Sequence, residues 1–314
     1  MALDSINPIE LENVDSFSYY EKIAKSKNGS RKRILYGETI QSNVTHSEIF
    51  NKIKDKYQFY DENVENLELL VMDNYLKGDR EALKHCYDSP TNGLRSLKEK
   101  IIQSQTSFYQ CKCAYCGING ISAMDHYAPK EKFPEYAIHP YNLVPSCSFC
   151  NTKKSDLFLD EDNNNRIFFN PYFDEVDSNI LELEIVYLES SNNFSFNIKL
   201  VEDSYASHIE FLEIIPRYEK EAIIIFDTLR TDLLLSFEAH IDMYDTLLTY
   251  EMNYKKQLKK TKEAKLKLHG INSVDYLVYN SFYNSKYCSV EFFINKFGSK
   301  IAKLKLSRKD DVSK

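Results

Sequence analysis

Two Cys-x2-Cys pairs, Cys113/Cys116 and Cys147/Cys150, stand 30 residues apart, and the loop they enclose and the residues just after it hold Asp125, His126, Asn142, Asn151 and Lys154. Each Cys-x2-Cys turn aims both sulfurs at one point, so four thiolates at this spacing predict a single tetrahedral Zn2+. A four-sulfur shell leaves no open position, which makes the expected zinc structural. At roughly 10–16 kcal/mol of apparent binding energy it would clip two chain segments together. Cys111 offers an alternative register through Cys111-Lys112-Cys113, but Tyr115 and Gly117 fit a knuckle turn that starts at Cys113. The remaining residues have different chemistry. Asp125 and the side-chain oxygen of Asn151 are hard donors suited to Mg2+ or Mn2+. His126, with an ordinary pKa of about 6.5, can act as a base near neutral pH. A hard cation beside a water-activating imidazole is what phosphodiester hydrolysis requires. Asn142 is expected to hydrogen-bond the loop that orients His126, and Lys154 to touch a phosphate. An Asp-His pair alone is an ordinary surface or turn pair; Asn142, the second cysteine pair and Asn151-x2-Lys154 following in order distinguish this one.

Positioning these groups takes three short elements. Ile121–Met124 is expected as a strand delivering Asp125 and His126 at its end, and Asn142–Pro145 as the returning strand. Cys147–Cys150 then opens a helix whose first turn carries Asn151 and Lys154. His139, in the same loop, is expected to be structural or solvent-facing, with a substrate contact as the alternative. His46, His85, His208, His240 and His269 have no partner pattern.

Upstream, residues 1–43 read as a polar surface loop or arm with a basic cluster from Lys22 to Arg31, Lys32 and Arg33, able to contact phosphate. Helical spacing begins at Val44 with Ile49, Ile53, Tyr57 and Tyr60, and a second run uses Val64, Leu67, Val71 and Tyr75 up to Gly78. Short helices follow over Glu81–Tyr87, with Cys86 as a small buried hydrophobe, and around Leu94, Leu97, Ile101 and Ile102. Downstream, Arg166–Phe169 is a strand candidate ended by Asn170-Pro171. Leu181, Leu183, Ile185 and Tyr187, then Phe194, Phe196, Ile198 and Leu200, alternate with polar residues around a Ser-Ser-Asn-Asn turn, which predicts a hairpin. Helices are expected from Arg217 to Leu235, on to Leu268, and in shorter pieces to Phe297, with a frayed basic tail after Lys300. The fold class is therefore α+β and mainly helical. Its expected regions are an N-terminal helical part at 1–105, a central zinc-knuckle module at 106–175, and a hairpin with helices at 176–314.

The net charge of −7 alone speaks against a nucleic-acid partner, but it is unevenly spread. Residues 251–314 carry 15 Lys and Arg against 6 Asp and Glu, a net of +9 that leaves −16 for residues 1–250. Lys255, Lys256, Lys259, Lys260, Lys262, Lys265 and Lys267 crowd one expected helix with only Glu263 among them. Such a face is by default solvated. Functionally, Lys255, Lys256, Lys259 and Lys260 would track a phosphate backbone, with Tyr250 or Tyr254 stacking on bases. An acidic protein partner would use the same face. No run approaches the ~18 apolar residues of a membrane span, and the first residues lack a basic start and an apolar core, so no signal peptide is expected. Seven cysteines, an odd number with four in pairs, suit a reducing compartment, so a soluble cytoplasmic protein is expected.

The segments MDHYAPKEKFPEYAI, NLVPSCSFCNTKKSD and FFNPYFD together resemble the zinc-containing HNH endonucleases of the ββα-metal class. The resemblance spans about Gln110 to Asp174, roughly a fifth of the chain. It implies His126 as general base, Asp125 and Asn151 as ligands of the catalytic metal, and Asn142 as a structural residue. The last motif position, often His in the family, is Asn151 here, which keeps an oxygen ligand. The flanking regions resemble stand-alone bacterial HNH proteins, some of which pair with an ATPase in anti-phage systems such as Septu; this implies an ATPase partner and a role in antiviral defence. The expected reaction is metal-dependent hydrolysis of DNA leaving 5′-phosphate and 3′-hydroxyl ends. RNA cleavage is an alternative, as is a non-catalytic zinc module that binds nucleic acid or a partner protein.

Overall fold

The computed structural model describes residues 15–40, 43–176 and 178–311, which fall into two compact units, 15–176 and 178–311. Among the described residues no helix is long and apolar enough to cross a membrane.

The first unit begins with helices α1 (Ser16–Lys25) and α2 (Gly29–Leu35), where the sequence suggests only a polar arm. Apolar side chains spaced along the polar stretch explain the difference: Phe17, Tyr20, Ile23 and Ala24 line one face of α1 and are buried, while Asp15 caps it by accepting from the Ser18 N–H at 2.8 Å. Residues 1–14 and 41–42, also assigned to that arm, lie outside the described residues. A small hairpin, β1 (Gly37–Ile40) with β2 (Asn43–His46), precedes α3 (Glu48–Glu62). Gly37, at φ 123°, brings its Cα so close to the opposite strand that a Cβ would lie 2.1 Å from the Thr45 carbonyl oxygen. Ser47 caps α3, which buries Ile53, Tyr57 and Tyr60 at the expected spacing, but Phe50 enters the core in place of the expected Ile49, which is half-buried, and Val44, where the helical run is expected to begin, lies in β2.

The helix expected over Val64–Tyr75 is absent. One 3-10 turn at Leu67–Leu69 gives way to irregular chain, with Val71 73% and Leu76 77% exposed. The segment is tied sideways to α3 instead, through Asp73 to Lys52 at 3.1 Å and to Lys56 at 2.8 Å. Helix α4 (Lys77–Asp88) and Thr91-capped α5 (Asn92–Gln103) lead into the site, and Leu97 and Ile101 of α5 share a core cluster with Met124 and Leu143. That cluster ties a flanking helix to both strands of the site, β3 (Ala123–His126) and β4 (Leu143–Ser146), which pair antiparallel with His126 opposite Leu143. Helix α6 (Ser148–Lys154) follows directly. The strand expected at Arg166–Phe169 is reduced to an isolated bridge between Leu159 and Arg166. Here the Arg166 side chain is drawn to Glu68 at 3.1 Å and Asp174 at 3.0 Å.

The second unit starts with the hairpin β5 (Leu181–Leu188) and β6 (Asn193–Leu200), in register from Leu181 opposite Leu200 to Leu188 opposite Asn193. Its buried face is the alternating set expected from the sequence. After α7 (Ala206–Phe211), the long α8 (Ile214–His240) lays a stripe of Tyr218, Ala222, Phe226, Leu229, Leu233 and Phe237 into the core. There Phe194, Phe226, Phe282 and Phe293 meet at ring-centroid distances of 4.7–6.1 Å. Helix α9 (Leu247–His269) opens with a Thr246/Thr249 capping box and stops at Gly270, φ 84°; α10 (Val274–Asn284) and α11 (Val290–Phe297) complete the packing. The tail does not fray at Lys300. It forms α12 (Lys300–Asp311), because Ala302 and Leu306, one turn apart within the basic run, insert into a cluster with Phe237, Ile241, Tyr250, Val290 and Ile294.

Candidate active site and metal centre

Cys113 and Cys116 occupy a tight turn closed by the Gly117 N–H donating to the Cys113 carbonyl at 2.8 Å, with Gly117 at φ 64°. Cys147 caps α6 and Cys150 lies in its first turn. All four cysteines are buried, and their sulfurs lie within 4.8 Å of one another. A tetrahedral ion with bonds of about 2.3 Å needs sulfurs roughly 3.8 Å apart, so this soft, closed donor set fits Zn2+. Cys111 is exposed and outside the cluster. The Cys147 sulfur also accepts from the Cys150 N–H at 3.4 Å and from the Asn119 amide at 3.8 Å, bonds that orient a ligand.

The knuckle reaches the other group of residues directly. The Ala114 N–H donates to the Pro145 carbonyl of β4 at 2.9 Å, and the Tyr115 hydroxyl donates to Asp125 Oδ2 at 2.7 Å. Tyr115, buried between the two cysteines of the first pair, is a site residue that the sequence marks only as a turn aromatic. The expectation that Lys154 touches a phosphate meets a different geometry. Its side chain is fully buried, and its ammonium donates to the His126 carbonyl at 2.7 Å and lies 3.0 Å from Asp125 Oδ2. Burial pushes the Asp125 carboxyl up and the Lys154 ammonium down, while each charge opposes the shift in the other. Both of those contacts go to Oδ2, and the His126 backbone N–H also acts on this carboxylate.

His126 is 8% exposed, and its Nε2 lies 2.9 Å from the Ala137 carbonyl. A carbonyl only accepts, so Nε2 carries the hydrogen and Nδ1 is the basic nitrogen of the neutral ring. Burial pushes the imidazole pKa down to about 3, opposed by the Ala137 bond and aided by the charges of Lys130, Lys154 and Lys98. The Tyr87 ring packs edge-on against it at 4.3 Å, and the Tyr87 hydroxyl donates to the Met124 carbonyl at 2.9 Å, a contact for which the sequence carries no signal.

Asn142 is fully buried and pins the loop between the strands. Its Oδ1 accepts from the Ala128 N–H at 2.7 Å, and its Nδ2 donates to the carbonyls of Ala128 and Tyr136, both at 3.0 Å. Those bonds hold the chain on either side of Ala137, whose carbonyl fixes His126. His139 is fully buried as well, with Nε2 3.2 Å from Asp61 Oδ1 and its ring 4.4 Å from Tyr57 and 4.2 Å from Tyr60. Asn151 is half-buried in the middle of α6.

The remaining candidates belong to the second unit. Lys255 lies 3.3 Å from Glu251 and Lys259 3.9 Å from Glu263, while Lys256 and Lys260 are exposed on α9. The expected stacking by Tyr250 is excluded, because its ring is buried and its hydroxyl donates to Ser236 at 3.1 Å. Tyr254 is half-buried and packs against the same core cluster.

Residues 113–157 match the family model described as HNH endonuclease. Protein ea31 of Escherichia phage lambda is 38% identical over 66 residues, 20% of this chain and 22% of that protein, so the chain covers about a fifth of that relative's length. No solved structure matches. The chain thus carries an HNH endonuclease domain with a four-cysteine cluster able to hold zinc, which supports nuclease activity in general.

Proposed function

We propose that the protein is a metal-dependent endonuclease that hydrolyses DNA phosphodiesters, with His126 as the base that activates water. The observation that carries this reading is the Ala137 carbonyl on His126 Nε2, which leaves Nδ1 as the proton acceptor in a ring that burial keeps neutral. Asp125, through Oδ1, and the Asn151 carboxamide oxygen are the hard donors for Mg2+ or Mn2+. When bound, such an ion supplies charge stabilisation to the phosphoryl oxygens and the leaving 3′-oxygen. Lys154 and Tyr115 are positioning residues: they fix the Asp125 carboxylate, and Lys154 also holds the His126 backbone. Asn142 positions the loop behind His126.

Plasmid DNA incubated with the zinc-loaded protein is expected to be cut only when Mg2+ or Mn2+ is added, and not by His126→Ala. Cleavage that persists in His126→Ala refutes the assignment of the base, and a preference for RNA over DNA under the same conditions replaces the substrate. Lys255, Lys256, Lys259 and Lys260 supply backbone attraction in this reading. Changing all four to Glu should flatten the salt dependence of DNA binding, and an unchanged slope removes them from the interface. A partner ATPase and a defensive role rest on the resemblance of the flanking regions. Co-purification with an ATPase from the native host supports them, and its failure leaves the nuclease without that partner.

A further inference from the structure

Besides Lys154, the cations whose charges act on His126 are Lys130 and Lys98, which the sequence does not single out. Tyr87 of α4 is a fixed platform: its hydroxyl is tied to Met124 and its edge to the His126 ring. Two lysines from different elements stand over that one ring. Lys98 Nζ, from α5, is 3.9 Å from the ring centroid, and Lys130 Nζ, from the chain just after β3, is 5.2 Å from it. Lys130 is paired with Asp88 at the end of α4. Lys98 has no hydrogen-bonded or ion-paired partner among the described residues. The cluster therefore holds two ammonium groups against one carboxylate, beside the proposed base, in a chain whose first 250 residues carry a net charge of −16.

Like charges brought together on one face cost free energy unless an anion joins them. Burial and the charge of Lys130 push the Lys98 pKa down, and Asp88 pushes it up. Leu97 and Ile101 anchor α5 in the core shared with Met124 and Leu143, which fixes the backbone from which Lys98 reaches the Tyr87 ring. A dianionic or monoanionic oxygen cluster arriving from solvent would supply the missing counter-charge.

We propose that Lys98 and Lys130, seated on Tyr87, form the subsite that receives a backbone phosphate of the DNA strand being cut. This rests on the nuclease reading above and adds its substrate-holding residues. The site lies in the same unit as His126, so it sets the register of the strand at the base, whereas lysines on α9 contribute attraction without register.

Cleavage of a short DNA duplex would be measured across a salt series with the full-length, zinc-loaded protein and Mg2+. Binding of the same duplex to His126→Ala, read by fluorescence anisotropy, gives affinity without turnover. Lys98→Gln with Lys130→Gln is expected to raise KM about tenfold or more near 0.1 M salt and to lower the salt slope by about one to two, with kcat falling less than threefold. The same pair in the His126→Ala background should weaken binding equally, and Lys98→Arg with Lys130→Arg should restore most of the loss. Zinc content and melting temperature equal to the parent's exclude a folding defect. A double Gln variant with parental KM and salt slope overturns the subsite alone. A parent protein that cuts no nucleic acid overturns the nuclease reading, and the subsite with it.

Discussion

The unit of residues 15–176 encloses Asp125, His126, Glu135, His139, Asn142 and Lys154, whereas the unit of residues 178–311 encloses the ring cluster of Phe194, Phe226, Phe282 and Phe293, with His208, Asn272 and Ser273 as its buried polar residues. Buried polar groups are costly to desolvate and return little net stability even when hydrogen-bonded, while buried rings stabilise in proportion to area. The first unit also carries a four-sulfur clip able to hold zinc, and no comparable cluster occurs among the described residues of the second. The first unit adds its buried polar groups to an aromatic core of its own, with Tyr20, Tyr57, Tyr60, Tyr127 and Tyr136 fully buried. Both units nonetheless use the same device at one point, a fully buried asparagine that bonds backbone. Asn142 serves the loop behind His126, and Asn272 accepts from the N–H groups of Ile180 and Leu181 at 2.8 and 3.3 Å and donates to the Ser178 carbonyl at 3.0 Å.

The largest expected effect comes from removing the clip. Chelation of the zinc, or Cys150→Ser, should remove roughly 10–16 kcal/mol of apparent binding energy from the first unit. Amide hydrogen exchange resolved by peptide should then show protection lost across 15–176 and kept across 178–311. Loss spread evenly over both units would erase the contrast. Next, Phe226→Ala should destabilise the second unit by about 3–5 kcal/mol, through the lost ring and the cavity it leaves. Zinc stoichiometry should stay at one per chain, and a fall in it would mean that the metal site depends on the aromatic core.

The two asparagines give a matched pair. Asn142→Ala and Asn272→Ala should each cost about 3–4 kcal/mol, measured by denaturant titration, since each leaves several buried backbone groups unpaired. Only Asn142→Ala should also lower cleavage per folded molecule. An equal loss in both variants would deny Asn142 any role in orienting His126.

The smallest effect is a pH dependence confined to the first unit. Glu135 is 1% exposed, and burial raises its carboxyl pKa to about 7, with Asp73 also raising it and Lys56 and Lys52 opposing. An unfolded glutamate titrates at about 4.3. The folded unit thus binds more protons than the unfolded chain between these values, and its stability should be highest below pH 4–5 from this group and fall by about 2–3 kcal/mol as pH rises through about 7. Glu135→Gln should flatten that slope in melts taken from pH 5 to pH 8. A slope that survives in the variant assigns it to another group.

Local spacing determined a good deal by itself. Two Cys-x2-Cys turns and the alternation on either side of Ser190–Asn193 describe geometry that closes within a few residues, and the four sulfurs do converge and the hairpin does pair in that register. Likewise Ile53, Tyr57 and Tyr60 of α3 need only the period of a helix to share a face. What spacing could not supply was burial decided by distant partners. Val64–Tyr75 has helix-like spacing but is held by the lysines of α3, and the basic tail is ordered because Ala302 and Leu306 find an apolar cluster made by other helices. The same holds in the site. Lys154 reads as a phosphate contact from its place after Asn151, and only the fold turns it inward, because Asp125 and the His126 carbonyl, nearly thirty residues earlier, offer its ammonium two acceptors that water would otherwise have to replace.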